Sequence, residues 1–164
     1  MNLKLFCDGS VNNQSGVGYG AYLYVDGELN NLEDLTHKVK LHRFENTSST
    51  RLELQILLHA LHALPFPTTA ALNIYTDSQN ITGLIARRER LEENNFYSSK
   101  NTLLANSDLY KEFYSRIDNL NCHIIKVKGH KPQREKDSID KVFSLVDRAA
   151  RIATQTLKRS VNYF

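Results

Sequence analysis

After about residue 47 the hydrophobic pattern changes from strand periods alone to helical periods that alternate with short strands. This change limits the possible folds more than any other feature. The first part of the chain contains apolar runs and alternations typical of strands, at residues 3–7, 16–25 and within 36–44. The Asp26-Gly27 pair that follows the second run is typical of a hairpin turn. Three sequential strands joined by short turns predict an antiparallel meander.

The rest of the chain predicts helices that alternate with short, buried strands. Apolar residues at helical spacing predict a helix that begins at a cap within 48–50 and ends just before Pro65. The same spacing predicts three later helices, at 78–90, 107–119 and 138–159. Short apolar runs between helices predict strands at 70–76 and 123–127. A strand that follows a helix is expected to join the sheet in parallel. The order predicts one domain of mixed α/β class, with a five-stranded sheet of three antiparallel and two parallel strands and helices on both faces.

Bulk properties favour one globular domain with a single core. The chain has 164 residues, 41% of them hydrophobic and 24% charged. No apolar run reaches membrane-spanning length, and residues 1–8 lack the apolar region of a secretory signal, so we expect a cytoplasmic protein without membrane contact. Cys7 and Cys122 belong to no Cys-x-x-Cys or Cys/His cluster, which predicts two buried free thiols.

Positive charge is concentrated toward the C-terminal end. Residues 1–46 carry 4 basic and 6 acidic side chains, residues 47–106 carry 5 of each, and residues 107–164 carry 12 basic and 7 acidic ones. Five of these cations flank Gly129-His130: Lys126, Lys128, Lys131, Arg134 and Lys136. They fit a phosphate-facing surface and also an ordinary solvated face, and charge alone leaves both explanations open.

Four carboxylates occur inside or at the end of apolar segments, where a lone charge is costly to bury. Asp8 follows the first strand, Glu53 lies in the first turn of the first helix, Asp77 follows the 70–76 strand, and Asp147 lies in the middle of the last helix. A pair of divalent cations held for phosphodiester chemistry would offset this cost.

Asp8 and Asp77 each have an ordinary structural explanation as well. Asp8 fits a turn in which its side chain bonds the backbone of Gly9. Asp77 fits a cap for the helix that begins at Ser78, although it also lies at the carboxyl edge of a parallel strand, where ligands bind in such sheets.

Glu53 and Asp147 have ordinary explanations of a different kind. The spacing of Glu53 from Ser49 and Thr50 fits a capping box. Asp147 lies too far inside its helix to cap it, but it fits an ion pair with Arg151 one turn later. None of these explanations predicts four carboxylates in this order and context, so the combination is more informative than any member.

Six segments carry a resemblance to a known family: Asp8-Gly9-Ser10, the glycine-rich second strand, Ser49-Thr50-Arg51-Leu52-Glu53-Leu54, Tyr75-Thr76-Asp77-Ser78-Gln79, Val127-Lys128-Gly129-His130 and Asp147-Arg148-Ala149-Ala150-Arg151. These segments are distributed along nearly the whole chain, and with them it resembles the ribonuclease H type 1 family. The resemblance implies the ribonuclease H-like fold and hydrolysis of the RNA strand of RNA/DNA hybrids. It further implies two Mg²⁺ or Mn²⁺ ions, and 5′-phosphate and 3′-hydroxyl products.

The resemblance also implies roles for individual residues. Asp8, Glu53, Asp77 and Asp147 would be metal ligands, and His130 would assist proton transfer or product release. Seven polar residues would contact the hybrid, four in its minor groove and three near a phosphate of the DNA strand: Asn12, Asn13, Gln14 and Gln79, and Ser49, Thr50 and Arg51. Turn and cap duties explain these seven about equally well.

Two features differ from the family pattern. Bacterial members often carry a basic, Trp-containing segment after the third helix. The corresponding residues 87–93 of this chain include both basic and acidic side chains, and the chain has no Trp. His130 precedes Asp147 by 17 positions, a longer stretch than in compact members, and Asp140 shares a helix face with Asp147. Asp140 is therefore the alternative fourth ligand.

Two other functions fit the sequence at this point. One is a different two-metal nuclease of the same superfamily, and the other is a non-catalytic module that binds RNA/DNA hybrids. The intact carboxylates argue against the binding module, because each would remain costly to bury without a metal. The glycine-rich second strand and the Gly129-His130 segment favour ribonuclease H over the other nuclease. No obligate protein partner is evident, so we expect a monomer.

Overall fold

Five strands form one mixed sheet in the computed structural model, which describes residues 2–67 and 69–161. The strands are β1 (Leu3–Asn12), β2 (Val17–Asp26), β3 (Lys40–Phe44), β4 (Leu72–Thr76) and β5 (Cys122–Lys126). Their order across the sheet is β3-β2-β1-β4-β5; the first three are antiparallel, and β4 and β5 are parallel to β1. The predicted sheet is confirmed.

Helices cover both faces of this sheet, as predicted. They are α1 (Leu32–Lys38), α2 (Ser49–His62), α3 (Gln79–Glu93), α4 (Ser107–Asp118) and α5 (Ser138–Val161). Successive side chains of a strand point to opposite faces. Leu5 of β1 is accordingly buried in a core with residues of α2, α3 and α4, and Phe6 is buried in a second core with residues of α1 and α5.

A short helix, α1, lies between β2 and β3, where the sequence predicted a hairpin turn. Asn31 caps it by accepting a hydrogen bond from the Asp34 backbone N–H at 3.0 Å. Only Leu35 among its seven residues is buried, so the apolar pattern of a helix is too weak to detect. The third strand lies within the predicted range, but the prediction of a short turn before it is wrong.

β1 extends five residues beyond its predicted end and contains Asp8. Asp8 pairs with Ala21 of β2, and Gly9, which resembles a turn residue, pairs with Gly20. The Gly9 N–H does donate a hydrogen bond to the Asp8 carboxylate at 2.9 Å. The expected local bond therefore exists, but the expectation that the strand ends or bends at Asp8 is wrong.

The glycines of β1 and β2 let α2 lie directly against the sheet. A Cβ atom added at Gly20 would come 2.5 Å from Cβ of Ile56, and one added at Gly9 would come 3.1 Å from Cγ of Leu52. Leu52 and Ile56 are fully buried. Because interiors are close-packed, a larger residue at Gly20 would force α2 to shift, and one at Gly9 would require the Leu52 side chain to move by a few tenths of an ångström. This contact fixes the position of α2 and hence of Glu53, the residue after Leu52.

The remaining bulk expectations concern membranes and thiols. No helix in residues 2–67 and 69–161 is long and apolar enough to cross a membrane. Cys7 and Cys122 are free, with Cys7 buried and Cys122 half-buried, and burial raises the pKa of both thiols. Both thiols therefore stay protonated at neutral pH.

Candidate active site

Parallel pairing of β1 with β4 brings Asp8 next to Asp77. Phe6 pairs with Tyr75 in this register, so two residues further along Asp8 lies beside Asp77, the first residue after β4. The Phe6 and Tyr75 rings stack with centroids 4.9 Å apart in the core that α5 covers. Because side chains two residues apart share a face, both carboxylates lie on the α5 side of the sheet.

Asp147 joins them from α5. Its neighbour Val146 is fully buried in the core between α5 and the sheet, and the half-buried Asp147 carboxyl lies close enough to Asp8 to favour a proton on the Asp8 carboxyl. Arg151 also forms an ion pair with Asp147, with 2.9 Å between Nη2 and Oδ2. The predicted ion pair of Asp147 with Arg151 therefore exists, but it does not account for the proximity of Asp147 to Asp8.

Neither Glu53 nor Asp77 caps a helix. Ser48 is the N-cap of α2 and Ser78 is the N-cap of α3, and each hydroxyl accepts a backbone N–H of the first turn at 3.2 Å. Glu53 lies five residues after Ser48, too far along for a capping box. The capping explanations of Glu53 and Asp77 are wrong, so another role must account for both carboxylates.

The environment of Asp8 strongly favours its protonated form. Burial has the largest effect, and the charge of Asp77 and the hydrogen bond with Asp147 add to it, so the pKa of Asp8 rises to about 9. The Gly9 N–H opposes this rise in pKa only in part. Asp8 is 7% exposed, and within the described part of the chain no basic side chain hydrogen-bonds to it.

Asp77 and Glu53 belong to the same electrostatic cluster. Burial and the charge of Asp147 raise the pKa of Asp77, while Lys126 and His130 oppose this. Burial and the charge of Asp77 raise the pKa of Glu53, while a hydrogen bond with Ser78 opposes this. The four predicted carboxylates therefore interact with one another. We refer to Asp8, Glu53, Asp77 and Asp147 as the carboxylate cluster.

The carboxylate cluster has the right donor atoms for a hard divalent cation, but its side chains do not surround one position. Among the residues described, no three His, Cys, Asp or Glu side chains are grouped as they would be around a metal ion. The Asp147 carboxylate is turned toward Arg151. Joint ligation by the cluster therefore requires its side chains to move closer together. Mg²⁺ fits the chemistry, because it prefers carboxylate oxygens and no basic side chain among the described residues hydrogen-bonds to the buried Asp8.

His130 lies in an exposed loop beside Asp77 and has a left-handed backbone, with φ of 60°. The loop approaches the carboxylate closely, since a Cβ at Gly129 would lie 3.4 Å from Oδ2 of Asp77. A cavity of about 330 Å³ is lined by His130, Asp77 and Asp147, together with Lys128 and Arg151. The structure thus places the predicted histidine at the carboxylate cluster.

Asp140, the alternative to Asp147, has partners of its own. Its Oδ2 accepts hydrogen bonds from Lys131 Nζ at 3.0 Å and from the Asp137 N–H at 3.2 Å. Burial raises the pKa of Asp140, but these hydrogen bonds outweigh burial and hold the pKa below its ordinary value. Asp147, and not Asp140, is the carboxylate in contact with Asp8.

The predicted minor-groove residues lie outside the carboxylate cluster. Asn12 ends β1, four residues and so roughly 13 Å beyond Asp8. Its side chain accepts the Gln14 N–H at 3.0 Å, which gives it a turn duty. Asn13, Gln14 and Gln79 are exposed. Their contact with a nucleic acid stays a prediction.

Arg51 lies in a second cavity, of about 660 Å³, at the start of α2. It donates to both carboxylate oxygens of Asp108, at 3.2 and 2.9 Å, and to Oδ1 of Asn106 at 3.3 Å. Ser49 and Thr50 are exposed nearby in the first turn of α2. The sequence analysis missed Asp108 and Asn106, because more than fifty residues separate them from Arg51 and no local pattern links them.

Comparisons with known proteins agree with this fold. A sequence model described as RNase H matches residues 1–150. The chain is 27% identical over 161 residues to "Ribonuclease H" of Thermoanaerobacter sp. (strain X514), covering 96% of this chain and 91% of that protein. It is 29% identical over 150 residues to "Ribonuclease H" of Legionella pneumophila (strain Lens), covering 88% and 96%. Because the family match spans most of the chain, this protein belongs to the RNase H family of nucleic-acid-binding hydrolases and is a nuclease.

Proposed function

We propose that this chain hydrolyses the RNA strand of RNA/DNA hybrids at the carboxylate cluster and leaves 5′-phosphate and 3′-hydroxyl ends. The observation that carries the proposal is the buried Asp8, which has two carboxyl neighbours, Asp77 and Asp147, and no basic hydrogen-bond partner within the described residues. Such an arrangement destabilises the fold unless a proton or a cation neutralises it. Membership of the RNase H family supports hybrids as the substrate.

Two divalent cations, Mg²⁺ or Mn²⁺, would be held by the carboxylate cluster. When bound, the ions supply an activated water and neutralise charge on the leaving 3′ oxygen. Asp8 and Asp77 present their oxygens from neighbouring strands, Glu53 lies beside Asp77, and Asp147 approaches from α5. The four ligands would therefore come from β1, the residue after β4, α2 and α5, so the bound ions would link four segments of the chain.

Side chains around the 330 Å³ cavity would serve the substrate. His130 is exposed beside Asp77, and histidine exchanges protons near neutral pH, which suits proton transfer or release of a phosphate product. Lys128 lines this cavity and Lys126 interacts electrostatically with Asp77; both are exposed and carry no ion pair among the residues described. They would attract the phosphates that flank the cleaved bond.

Cleavage of sequence-matched RNA/DNA, RNA/RNA and DNA/DNA duplexes tests the proposal. With Mg²⁺ we expect cleavage of the RNA strand of the hybrid alone, with 5′-phosphate ends detected by phosphatase-dependent labelling. Chelation of the metal should abolish the reaction. Equal cleavage of all three duplexes would contradict the proposed substrate, and an uncut hybrid in both Mg²⁺ and Mn²⁺ would overturn the activity.

The Arg51–Asp108 pair yields a separate prediction for hybrid binding. Asp108→Asn should release the Arg51 guanidinium for a phosphate of the DNA strand. Exposed ion pairs contribute up to about 1 kcal/mol, so the Kd for a labelled hybrid should fall by up to about fivefold at low salt and by less at high salt. Fluorescence anisotropy in metal-free buffer measures this Kd.

A matched control exists in the pair of Arg88 with Asp118, which is also bidentate, at 2.6 and 2.8 Å, and lies outside the 660 Å³ cavity. Asp118→Asn removes the same charge, and its effect on the Kd should be smaller. Equal effects of Asp108→Asn and Asp118→Asn, or weaker binding by Asp108→Asn, would contradict a phosphate contact by Arg51.

A further inference from the structure

The loop between β5 and α5, residues 127–137, brings His130 to the carboxylate cluster; we call it the His130 loop. His130 itself has φ of 60°, a conformation that costs free energy for a residue with a side chain. Such a conformation persists only when the surrounding contacts hold it. The contacts that hold the His130 loop therefore bear on where the imidazole lies.

One anchor of the His130 loop is the ion pair between Lys131 and Asp140. Lys131 directly follows His130, and its Nζ lies 3.0 Å from Oδ2 of Asp140 in the first turn of α5. Asp140 is only 7% exposed. The same carboxylate accepts the Asp137 N–H, and the Asp137 carboxylate accepts the Asp140 N–H at 2.8 Å. These two reciprocal hydrogen bonds form a capping box at the start of α5. Lys131 takes no part in the capping box.

A second anchor holds the other end of the His130 loop. Lys136 Nζ donates to the Ser144 hydroxyl at 2.8 Å, and this hydroxyl donates to the Asp140 carbonyl at 2.9 Å. Both anchors end on the first two turns of α5, where Val142 and Phe143 are buried in the core. The His130 loop is therefore attached to a firmly packed part of the helix that also carries Asp147.

We propose that Asp140 is a positioning residue, which holds His130 beside the carboxylate cluster through its ion pair with Lys131. Asp140 and Asp147 are seven residues apart on one face of α5. The same rigid helix thus fixes the distance between a carboxylate of the cluster and the loop that carries the histidine. This role rests on the proposed function, and it replaces ligation of the metal as the explanation of Asp140.

A double-mutant cycle between Asp140→Asn and His130→Ala tests the proposal. Asp140→Asn keeps an acceptor for the Asp137 N–H but removes the charge that binds Lys131. We expect kcat for hybrid cleavage to fall roughly tenfold with little change in KM, because the histidine loses its position while the cleft remains. In the His130→Ala background the same substitution should lower kcat by less than about twofold.

Other roles of Asp140 give different outcomes in this cycle. A metal ligand would show a loss of at least about 100-fold that persists in the His130→Ala background. A residue that only caps α5 would lower the Tm and would act additively with His130→Ala. Either result would overturn the proposal.

Two further variants keep the test independent of the stability of α5. Lys131→Met removes the ion pair from the loop side and leaves the capping box intact, so it should reproduce the fall in kcat. Glu135→Gln makes the same charge change as Asp140→Asn on an exposed residue of the same loop, and it should leave kcat unchanged. A Lys131→Met enzyme with the wild-type kcat would contradict the anchor.

Amide hydrogen exchange provides a readout that needs no activity. The Glu135 N–H donates to the Pro132 carbonyl at 2.9 Å inside the His130 loop. In metal-free Lys131→Met we expect this amide to exchange about tenfold faster, while the amides around Val146 keep their protection. Unchanged exchange of the loop would overturn the proposal. A wild-type protein that fails to cut hybrids would overturn the proposed function alone and leave the exchange result to decide the anchor.

Discussion

Asp8→Asn should abolish hybrid cleavage and, in the absence of divalent cations, raise the thermal stability of the protein. The amide has nearly the size of the carboxyl group but cannot ionise, so folding no longer requires Asp8 to take up a proton in response to burial and the charge of Asp77. It also removes the buried charge that a cation would neutralise. A variant that is more stable but inactive is expected where a residue needed for activity destabilises the folded protein.

The pKa of Asp8 gives the sign of the pH dependence. In the folded protein it is about 9, above the ordinary value of about 4 in an unfolded chain, so the folded state binds this proton more tightly. The contribution of Asp8 to the free energy of unfolding is complete below about pH 4 and is lost as the pH rises toward about 9. The metal-free wild type should therefore lose stability across this range, and Asp8→Asn should lose less.

Thermal unfolding at about pH 5 and about pH 8.5, with and without Mg²⁺, measures both effects. Mg²⁺ should raise the Tm of the wild type most at the higher pH, where keeping Asp8 protonated costs the folded state most and a cation competes best with the proton. Asp26→Asn, at the exposed end of β2, is the control and should behave as the wild type. A lower metal-free Tm of Asp8→Asn would contradict the proposed cost of burying Asp8. So would a Tm of Asp8→Asn that depends on pH as strongly as that of the wild type.

Gly20→Ala should unfold the protein at a lower temperature and reduce its activity. Its methyl group would lie 2.5 Å from Cβ of the fully buried Ile56, so α2 must move away from the sheet. Overpacking of this kind costs about 1–3 kcal/mol, or about 2–12 °C in Tm for a chain of this size. Displacement of α2 also moves Glu53, so hybrid cleavage should fall at temperatures where the variant is fully folded.

Gly83→Ala is the matched control for Gly20→Ala. Gly83 lies inside α3, and the nearest atom to an added Cβ is Nε of Arg87, at 3.6 Å. Alanine should stabilise this helix by about 0.5–1 kcal/mol and leave cleavage unchanged. Equal Tm values for the two variants, measured by calorimetry, would contradict the close approach of α2 to β2.

Much of the fold follows from local patterns, because periodicity reports which residues face a core. The apolar spacing of α2 and α5 and the runs of β4 and β5 are strong enough to predict the sheet and its helices. The α1 helix was missed because it buries one side chain. The end of β1 was missed because Gly9 and Ser10 resemble a turn, although they pair with β2.

The carboxylate cluster shows where local reasoning stops. Capping explained Glu53 and Asp77 from sequence, but Ser48 and Ser78 perform that duty. Periodicity cannot separate Asp140 from Asp147, because both lie on one helix face. Their partners separate them: Lys131 binds Asp140, and Asp8 contacts Asp147. Such contacts depend on how loops and strands meet in three dimensions, which no local pattern specifies.

The most direct test of the proposed site is the rate of hybrid cleavage by wild type and by Asp77→Asn in Mg²⁺. Loss of a group that hydrogen-bonds to a metal ligand typically lowers activity by about 10- to 100-fold. Loss of the ligand itself should cost more, so we expect Asp77→Asn to cleave the hybrid at least about 100-fold more slowly than the wild type. Its Tm should be retained. Cleavage by Asp77→Asn within about twofold of the wild-type rate would contradict a catalytic role for the carboxylate cluster.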